Sequence, residues 1–116
     1  MTIVRREDRP VLARGPALPT LQRLVDRENG SEAVTVLINR FAQGESVPEH
    51  IHDVEEVLVV TDGECVVTID GRSYAVREGD AVIVKPGATH SIAHRSEESC
   101  TIVAVLGSPD AKIRGD

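Results

Sequence analysis

The sequence is almost without aromatic residues: tryptophan is absent, and Phe41 and Tyr74 are the only members of this class. A core must therefore be built from Val, Ile, Leu and Ala, and the β-branched residues among them favour strands. Basic residues are also outnumbered, with 13 Lys plus Arg against 19 Asp plus Glu and a formal net charge of −6. We therefore expect neither nucleic acid nor an anionic membrane surface as a partner.

Long apolar runs are missing as well. No stretch approaches the roughly 18 apolar residues of a membrane-spanning helix, and the N-terminus reaches Arg5 and Arg6 before it builds the apolar segment of a signal peptide. We therefore expect a cytoplasmic protein.

Cysteine is scarce, and Cys65 and Cys100 lie in apolar runs. We expect reduced thiols in the core, although Cys65 is also a candidate to line an internal cavity.

The length of 116 residues suits a single domain, 1–116, with one core. Residues 1–6 fit a short strand, 20–26 fit a strand or a short helix, and the polar stretch 108–116 is typical of a loose tail. Short apolar or alternating segments follow, separated by Gly, Pro and Asp turns, which is typical of an all-β sandwich or barrel. The predicted strands are 34–41, 56–60, 65–69, 73–77, 81–84, 91–93 and 100–106. The residue pair Asp70-Gly71 is the best candidate for a two-residue hairpin turn.

All four histidines lie between positions 50 and 94, and histidine is the commonest metal ligand. In a strand, His50 and His52 point to the same face. Glu56 would lie about 20 Å from His50 along a continuous strand, so the two share an ion only if the chain turns at 53–54. A fourth ligand has to come from a distant strand, and His90 is the natural candidate because it follows a Pro-Gly turn.

These residues carry a resemblance to the cupins. The first cupin motif is a glycine, five residues, H-x-H, three or four residues, a glutamate, six residues and a second glycine. Gly44, His50, His52, Glu56 and Gly63 reproduce this spacing without departure.

The second cupin motif is a glycine, five residues, P-x-G, two residues, a histidine, three residues and an asparagine. Residues 79–94 follow it with His90 at the histidine position. Two positions differ, because Lys85 replaces the proline and His94 replaces the asparagine. The two motifs together span 44–63 and 79–94.

The resemblance implies a double-stranded β-helix, a small jelly-roll barrel, with one divalent metal held by His50, His52, Glu56 and His90. Three imidazoles and a carboxylate suit Fe, Mn, Ni, Zn or Cu. The departures at Lys85 and His94 lie outside this ligand set.

Several residues near the motifs have open roles. Glu55 is the rival of Glu56, although the motif spacing favours Glu56. His94 shares the face of His90 but lies about 13 Å further along the strand, so it is a candidate for the pocket wall or for a plain surface position. Arg40 is a second pocket candidate, which would clamp a substrate carboxylate if it faced inward. We expect Lys85 to be exposed.

The outward residues Val57 and Val59 are too apolar for solvent, which predicts a partner sheet or a second subunit. Cupins commonly pair, so we expect a homodimer.

Three functions fit the predicted site. The first is a metal-dependent enzyme of the dioxygenase, decarboxylase, isomerase or cyclase type, acting on a small oxygenated molecule. The alternatives are a non-enzymatic small-molecule binder or sensor, and a metal that only stabilises the barrel.

Overall fold

The computed structural model describes residues 1–112, and residues 113–116 lie outside it. The described part contains ten strands and two short 3-10 helices, Arg6–Asp8 and Arg27–Asn29, but no α-helix. No helix within it is long and apolar enough to cross a membrane. The strands are β1 (Val11–Leu12), β2 (Thr20–Val25), β3 (Thr35–Phe41), β4 (Ser46–His50), β5 (Glu56–Asp62), β6 (Glu64–Ile69), β7 (Arg72–Arg77), β8 (Ala81–Val84), β9 (His90–Ala93) and β10 (Cys100–Leu106).

The strands form two antiparallel sheets. Six lie in the order β1-β2-β3-β10-β5-β8 and four in the order β4-β9-β6-β7. From β4 onward the chain crosses repeatedly from one sheet to the other, which is the winding of a double-stranded β-helix. The predicted all-β jelly roll is confirmed.

The core lies between the two sheets and is aliphatic, as the shortage of aromatic residues requires. Strand β5 shows how it is filled: Glu56, Leu58 and Val60 are buried, while Val57 and Val59 alternate with them on the outer face. Each fully buried aliphatic side chain contributes roughly 1.5–3 kcal/mol. The buried cluster consists of Leu21, Leu37, Phe41, Leu58, Val60, Cys65, Val67, Val76, Val84, Ile92, Cys100, Ile102, Ala104 and Leu106.

The N-terminal prediction is wrong. Residues 1–5 form no strand, and they lead into the 3-10 helix Arg6–Asp8, which buries no residue. The apolar residues Met1 and Ile3 of this segment are exposed, so no burial stabilises a strand here. The ambiguous stretch 20–26 is resolved as the strand Thr20–Val25, which pairs with both β1 and β3.

The segment that follows β10 is attached to the body of the domain. Thr35 Oγ1 donates to the carbonyl of Ser108 at 2.7 Å, and the backbone N–H of Arg27 donates to the carbonyl of Pro109 at 3.0 Å. The predicted loose tail, 108–116, thus starts with residues that hydrogen-bond to the domain. Its last part, 113–116, lies outside the described residues.

Two hairpin turns contain glycines for different reasons. Asp70 and Gly71 have φ values of +47° and +83°, as the predicted tight turn between β6 and β7 requires. Gly63, the last glycine of the first motif, has φ +76° between β5 and β6. A Cβ at Gly63 would clash with the carbonyl oxygen of Ser99 and lie 2.9 Å from Cα of Cys100.

We predict that Gly63→Ala destabilises the protein more than Gly71→Ala. Both add a side chain at positive φ, which costs about 1–2 kcal/mol. Only Gly63→Ala also forces a clash with backbone, which adds roughly 1–3 kcal/mol, because nothing lies within 4 Å of a Cβ at Gly71. Urea unfolding of the two variants measures the difference, and equal losses of stability would contradict this explanation of the motif glycine.

Candidate metal centre

The four motif side chains come from both sheets. His50 ends β4 and pairs with His90, the first residue of β9, in the four-stranded sheet. Glu56 begins β5 in the six-stranded sheet. His52 lies in the connection that carries the chain from one sheet to the other. The cluster therefore lies at one end of the barrel, between the two sheets.

One expectation about this segment is wrong in detail. Strand β4 ends at His50, so His52 does not share a strand face with it. The predicted turn at 53–54 is present. The backbone N–H of Gly87 donates to the carbonyl of His52 at 2.8 Å. This hydrogen bond fixes the position of His52 in place of a strand pairing.

The four predicted side chains converge. His50, His52, Glu56 and His90 each offer one donor atom, and these atoms all lie within 4.8 Å of one another. The shortest approach is 2.9 Å between Nε2 of His90 and Oε1 of Glu56. Nε2 of His52 is 3.8 Å from Oε2 of Glu56.

Backbone carbonyls orient two of the imidazoles. Nδ1 of His50 is 2.8 Å from the carbonyl oxygen of Pro48, and Nδ1 of His90 is 3.1 Å from that of Ala88. A carbonyl oxygen only accepts, so each Nδ1 carries the proton and donates it. Nε2 of each ring is left with its lone pair, which is the arrangement found in metal-ligating histidines.

Charge states of the cluster also suit a metal. Burial lowers the pKa of His50 and of His52, so both are neutral at pH 7 and able to ligate. Burial alone would lower the pKa of His90 too, but the close Glu56 carboxylate and the hydrogen bond to the Ala88 carbonyl raise it overall. A proton on His90 therefore competes with a metal for the same nitrogen.

The buried polar groups of the cluster lack partners that a cation would supply. Among residues 1–112, Nε2 of His90 has no hydrogen-bond partner despite its short distance to Glu56. Glu56 is only 5% exposed, and a buried charge is costly unless it is paired. Consider two ligand atoms that each lie about 2.1 Å from one metal ion. If they meet at the ion at a right angle, they are about 3.0 Å apart. The observed 2.9 Å thus fits a pair of neighbouring metal ligands.

The family is decided by comparison with known proteins. The family described as Cupin domain matches residues 37–106, more than half of the chain. The chain belongs to the cupin family. Its all-β fold and His₃Glu cluster agree with that assignment.

Solved structures show the same fold at low sequence identity. The polyketide cyclase RemF from Streptomyces resistomycificus is 22% identical, with a TM-score of 0.80 over 98% of this chain and 85% of that one. Oxalate decarboxylase from Bacillus subtilis, a protein with Mn(II) centres, is 23% identical, with a TM-score of 0.78 over 95% of this chain and 31% of that one.

A curated relative is the HTH-type transcriptional regulator PuuR from Escherichia coli (strain K12). It is 29% identical over 83 residues, which make up 71% of this cupin and 45% of the regulator. The chain thus spans about half the length of the curated relative that it matches.

The rival glutamate lies outside the cluster. Glu55 is exposed and forms an ion pair with Lys85, with 3.1 Å between Oε1 and Nζ. Lys85 is exposed as expected, and its side chain is 74% accessible. An ion pair this exposed adds little stability, so the departure from the second motif at Lys85 affects only the surface.

The other three candidates do not line the cavity of the cluster. Arg40 is exposed on the outer face of β3, so it does not fill the predicted inward role. His94 is buried but follows the far end of β9, where its Nε2 is 3.1 Å from Oγ of Ser96. Cys65 and Cys100 are free and buried. A hydrogen bond between their thiols, together with burial, raises the pKa of Cys65, which keeps it protonated.

A cavity of about 40 Å³ lies beside the cluster. Most of its wall is apolar, with contributions from Leu37, Val47, Leu58, Ile92 and Ala104. Two polar residues complete it, Arg14 and Asn39, and sequence reasoning missed both. The sequence does contain a signal for Asn39: it alternates in phase with the apolar residues Leu37 and Phe41, which indicates an inward-facing side chain. Arg14 comes from the connection between β1 and β2, where no such alternation indicates its direction.

We predict that Glu56→Gln lowers the metal content of the purified cupin at least tenfold, whereas Glu55→Gln leaves it unchanged. The first substitution removes the one anionic donor of the cluster, and the second removes a carboxylate of the same size from an exposed ion pair. Elemental analysis after dialysis against trace metal measures both. Equal metal contents in the two variants would show that Glu56 is not a ligand.

Proposed function

We propose that this cupin is a metal-dependent enzyme that acts on a small oxygenated organic molecule at a mononuclear centre formed by His50, His52, Glu56 and His90. The observation that carries the proposal is the convergence of four donor atoms within 4.8 Å beside a cavity. A bound divalent ion would supply Lewis-acid polarisation of a substrate oxygen or, if it is iron, redox chemistry.

The chain's own residues determine how such a centre works. The carbonyls of Pro48 and Ala88 hold two imidazoles in the ligating tautomer. Glu56 contributes one negative charge, so the four ligands leave a divalent ion with a net charge of +1. The apolar wall of the cavity lowers the local dielectric constant, which strengthens electrostatic interactions with a bound substrate.

The reaction type is proposed only as a range. Three imidazoles and a carboxylate suit Fe, Mn, Ni, Zn or Cu, and dioxygenase, decarboxylase, isomerase and cyclase reactions all fit an open metal position. The structural likeness to a polyketide cyclase supports a cyclase reaction, and the likeness to an oxalate decarboxylase supports a decarboxylase reaction.

We expect turnover from wild-type protein reconstituted with one of these five metals and supplied with a panel of small hydroxy acids, oxo acids, dicarboxylates and enediols. The Glu56→Gln variant should lose that turnover, and Glu55→Gln should keep it. Mass spectrometry of the mixtures under air and under nitrogen detects products and separates oxygen-dependent reactions from the others. Unchanged substrates with every metal would contradict an enzymatic role.

A second function has its own support. The likeness to the regulator PuuR favours a cupin that binds a small molecule without converting it, so that the ligand completes the metal centre and acts as a signal. Ligand-induced thermal stabilisation with no product would favour this sensor. Product formation would exclude it as the sole role.

The homodimer remains part of the proposal. The outer face of the six-stranded sheet carries an apolar ladder in which Val57 pairs with Val105 and Ile83, and Val59 pairs with Val103. Ile83 is 59% exposed. An apolar ladder on an outer sheet face supports association with a second copy. Sedimentation velocity decides the question, and a monomer at all concentrations would refute it.

A further inference from the structure

Cys65 and Cys100 lie at the end of the barrel opposite the metal cluster. Cys65 is in β6 of the four-stranded sheet, and Cys100 begins β10 of the six-stranded sheet. Strand β6 reaches the cluster only at its other end, where Ile69 pairs with His90, and the last residue of β10 pairs with Glu56. The spacing from Cys65 to Ile69 alone corresponds to about 13 Å at roughly 3.3 Å per residue. The two thiols are therefore separate from the metal centre.

The two sheets converge at the end that holds the cysteines. Strand β5 of one sheet and β6 of the other are separated only by Gly63, and a Cβ at Gly63 would lie 2.9 Å from Cα of Cys100. Both cysteines are free and belong to the same buried core cluster. Their thiols hydrogen-bond to each other. Two cysteine side chains that point toward each other meet a basic geometric requirement for a disulfide.

The hydrogen bond makes the two sulfur atoms chemically unequal. The thiol of Cys65 donates to Cys100, which lowers the pKa of Cys100 even though burial opposes this. The thiolate, rather than the thiol, is the nucleophile toward an oxidant. Cys100 is thus the sulfur that attacks first, and Cys65 is placed beside it to form the second bond, as in redox-sensitive pairs with a resolving cysteine.

The enclosure of the pair limits which oxidant can reach it. Cys65 is 4% exposed and Cys100 is 0% exposed, so a bulky disulfide such as oxidised glutathione does not contact either sulfur in the native conformation. A surface groove at this end is lined in part by Gly63 and Glu64, which directly precede Cys65. Hydrogen peroxide is close to water in size, so only a small local opening beneath this groove is needed to admit it.

We infer that Cys65 and Cys100 form a peroxide-sensitive pair that closes to a disulfide between the two sheets. The Cys100 thiolate attacks one oxygen of hydrogen peroxide, so that an S–O bond forms, the O–O bond breaks and the other oxygen leaves as water with the thiol proton. The sulfur of Cys65 then attacks the sulfur of Cys100, an S–S bond forms, and the S–O bond breaks to release a second water. Two thiols are oxidised and one peroxide is reduced, which gives one disulfide and two waters.

The disulfide would change the stability of the barrel. It would close the segment 65–100 into a covalent loop that carries His90, and it would connect the two sheets directly. A cross-link of this kind stabilises a protein mainly by restricting its unfolded chain. The oxidised protein should therefore unfold at a higher temperature than the reduced one.

The experiment exposes the folded protein, supplied with Zn(II) because this ion does not react with peroxide, to a small excess of hydrogen peroxide. Catalase stops the reaction, and N-ethylmaleimide then labels the remaining thiols in denaturant. Intact-mass spectrometry should show a monomer that has lost two hydrogen atoms and takes up no label, and dithiothreitol should restore both thiols. The unfolding midpoint should rise by at least about 5 °C. Oxidised glutathione should leave both thiols free.

Two single variants serve as matched controls, because each keeps one sulfur and cannot form the internal bond. Cys65→Ser retains a hydroxyl donor beside Cys100, so peroxide should leave a sulfenic acid there that dimedone labels. Cys100→Ser leaves the thiol of Cys65 without its reactive partner, and dimedone labelling should be at least about tenfold slower.

Several results would overturn the inference. Folded wild-type protein that keeps both thiols in peroxide, forms the bond only after unfolding in urea, or takes up glutathione would show that the two cysteines are not an enclosed redox pair. Equal labelling of the two variants would contradict the assigned order of attack. A disulfide that leaves the unfolding midpoint unchanged or lowers it would contradict the stabilising role.

Discussion

The structure depends on one electrostatic constraint: a carboxylate and three imidazoles meet at one end of the barrel, and two of the four residues are buried there. Glu56 is 5% exposed and His90 is 1% exposed, yet their nearest atoms are 2.9 Å apart without a hydrogen bond between them. Such an arrangement is unfavourable without a cation and favourable with one. Binding of a metal to the folded state should therefore contribute directly to stability.

The jelly roll serves this constraint by bringing distant segments to one end of the barrel. His50 and His90 are paired across β4 and β9, and Glu56 reaches them from the opposite sheet because the chain crosses over in the 51–55 connection. The core itself needs no aromatic residues, since aliphatic side chains from both sheets fill it.

Much of the site was predictable from sequence because the cupin spacing encodes contacts between strands. All four clustered residues follow from it, whereas the turn at 53–54 follows from the length of an extended strand and the hairpin from the Asp70-Gly71 pair. Side-chain direction was less accessible: Arg40 is exposed and its neighbour Asn39 is buried, a distinction that depends on the register of β3 against the core. The position of Arg14 in the cavity wall could not be predicted, because it lies in a connection without the periodicity that indicates which side chains face inward.

X-ray absorption spectroscopy at the edge of the metal retained by the wild-type protein tests the central claim most directly. A His₃Glu centre predicts a first shell of nitrogen and oxygen only, with multiple scattering from three imidazole rings. A spectrum with fewer than three imidazoles, or with sulfur from Cys65 or Cys100, would contradict a metal centre formed by His50, His52, Glu56 and His90.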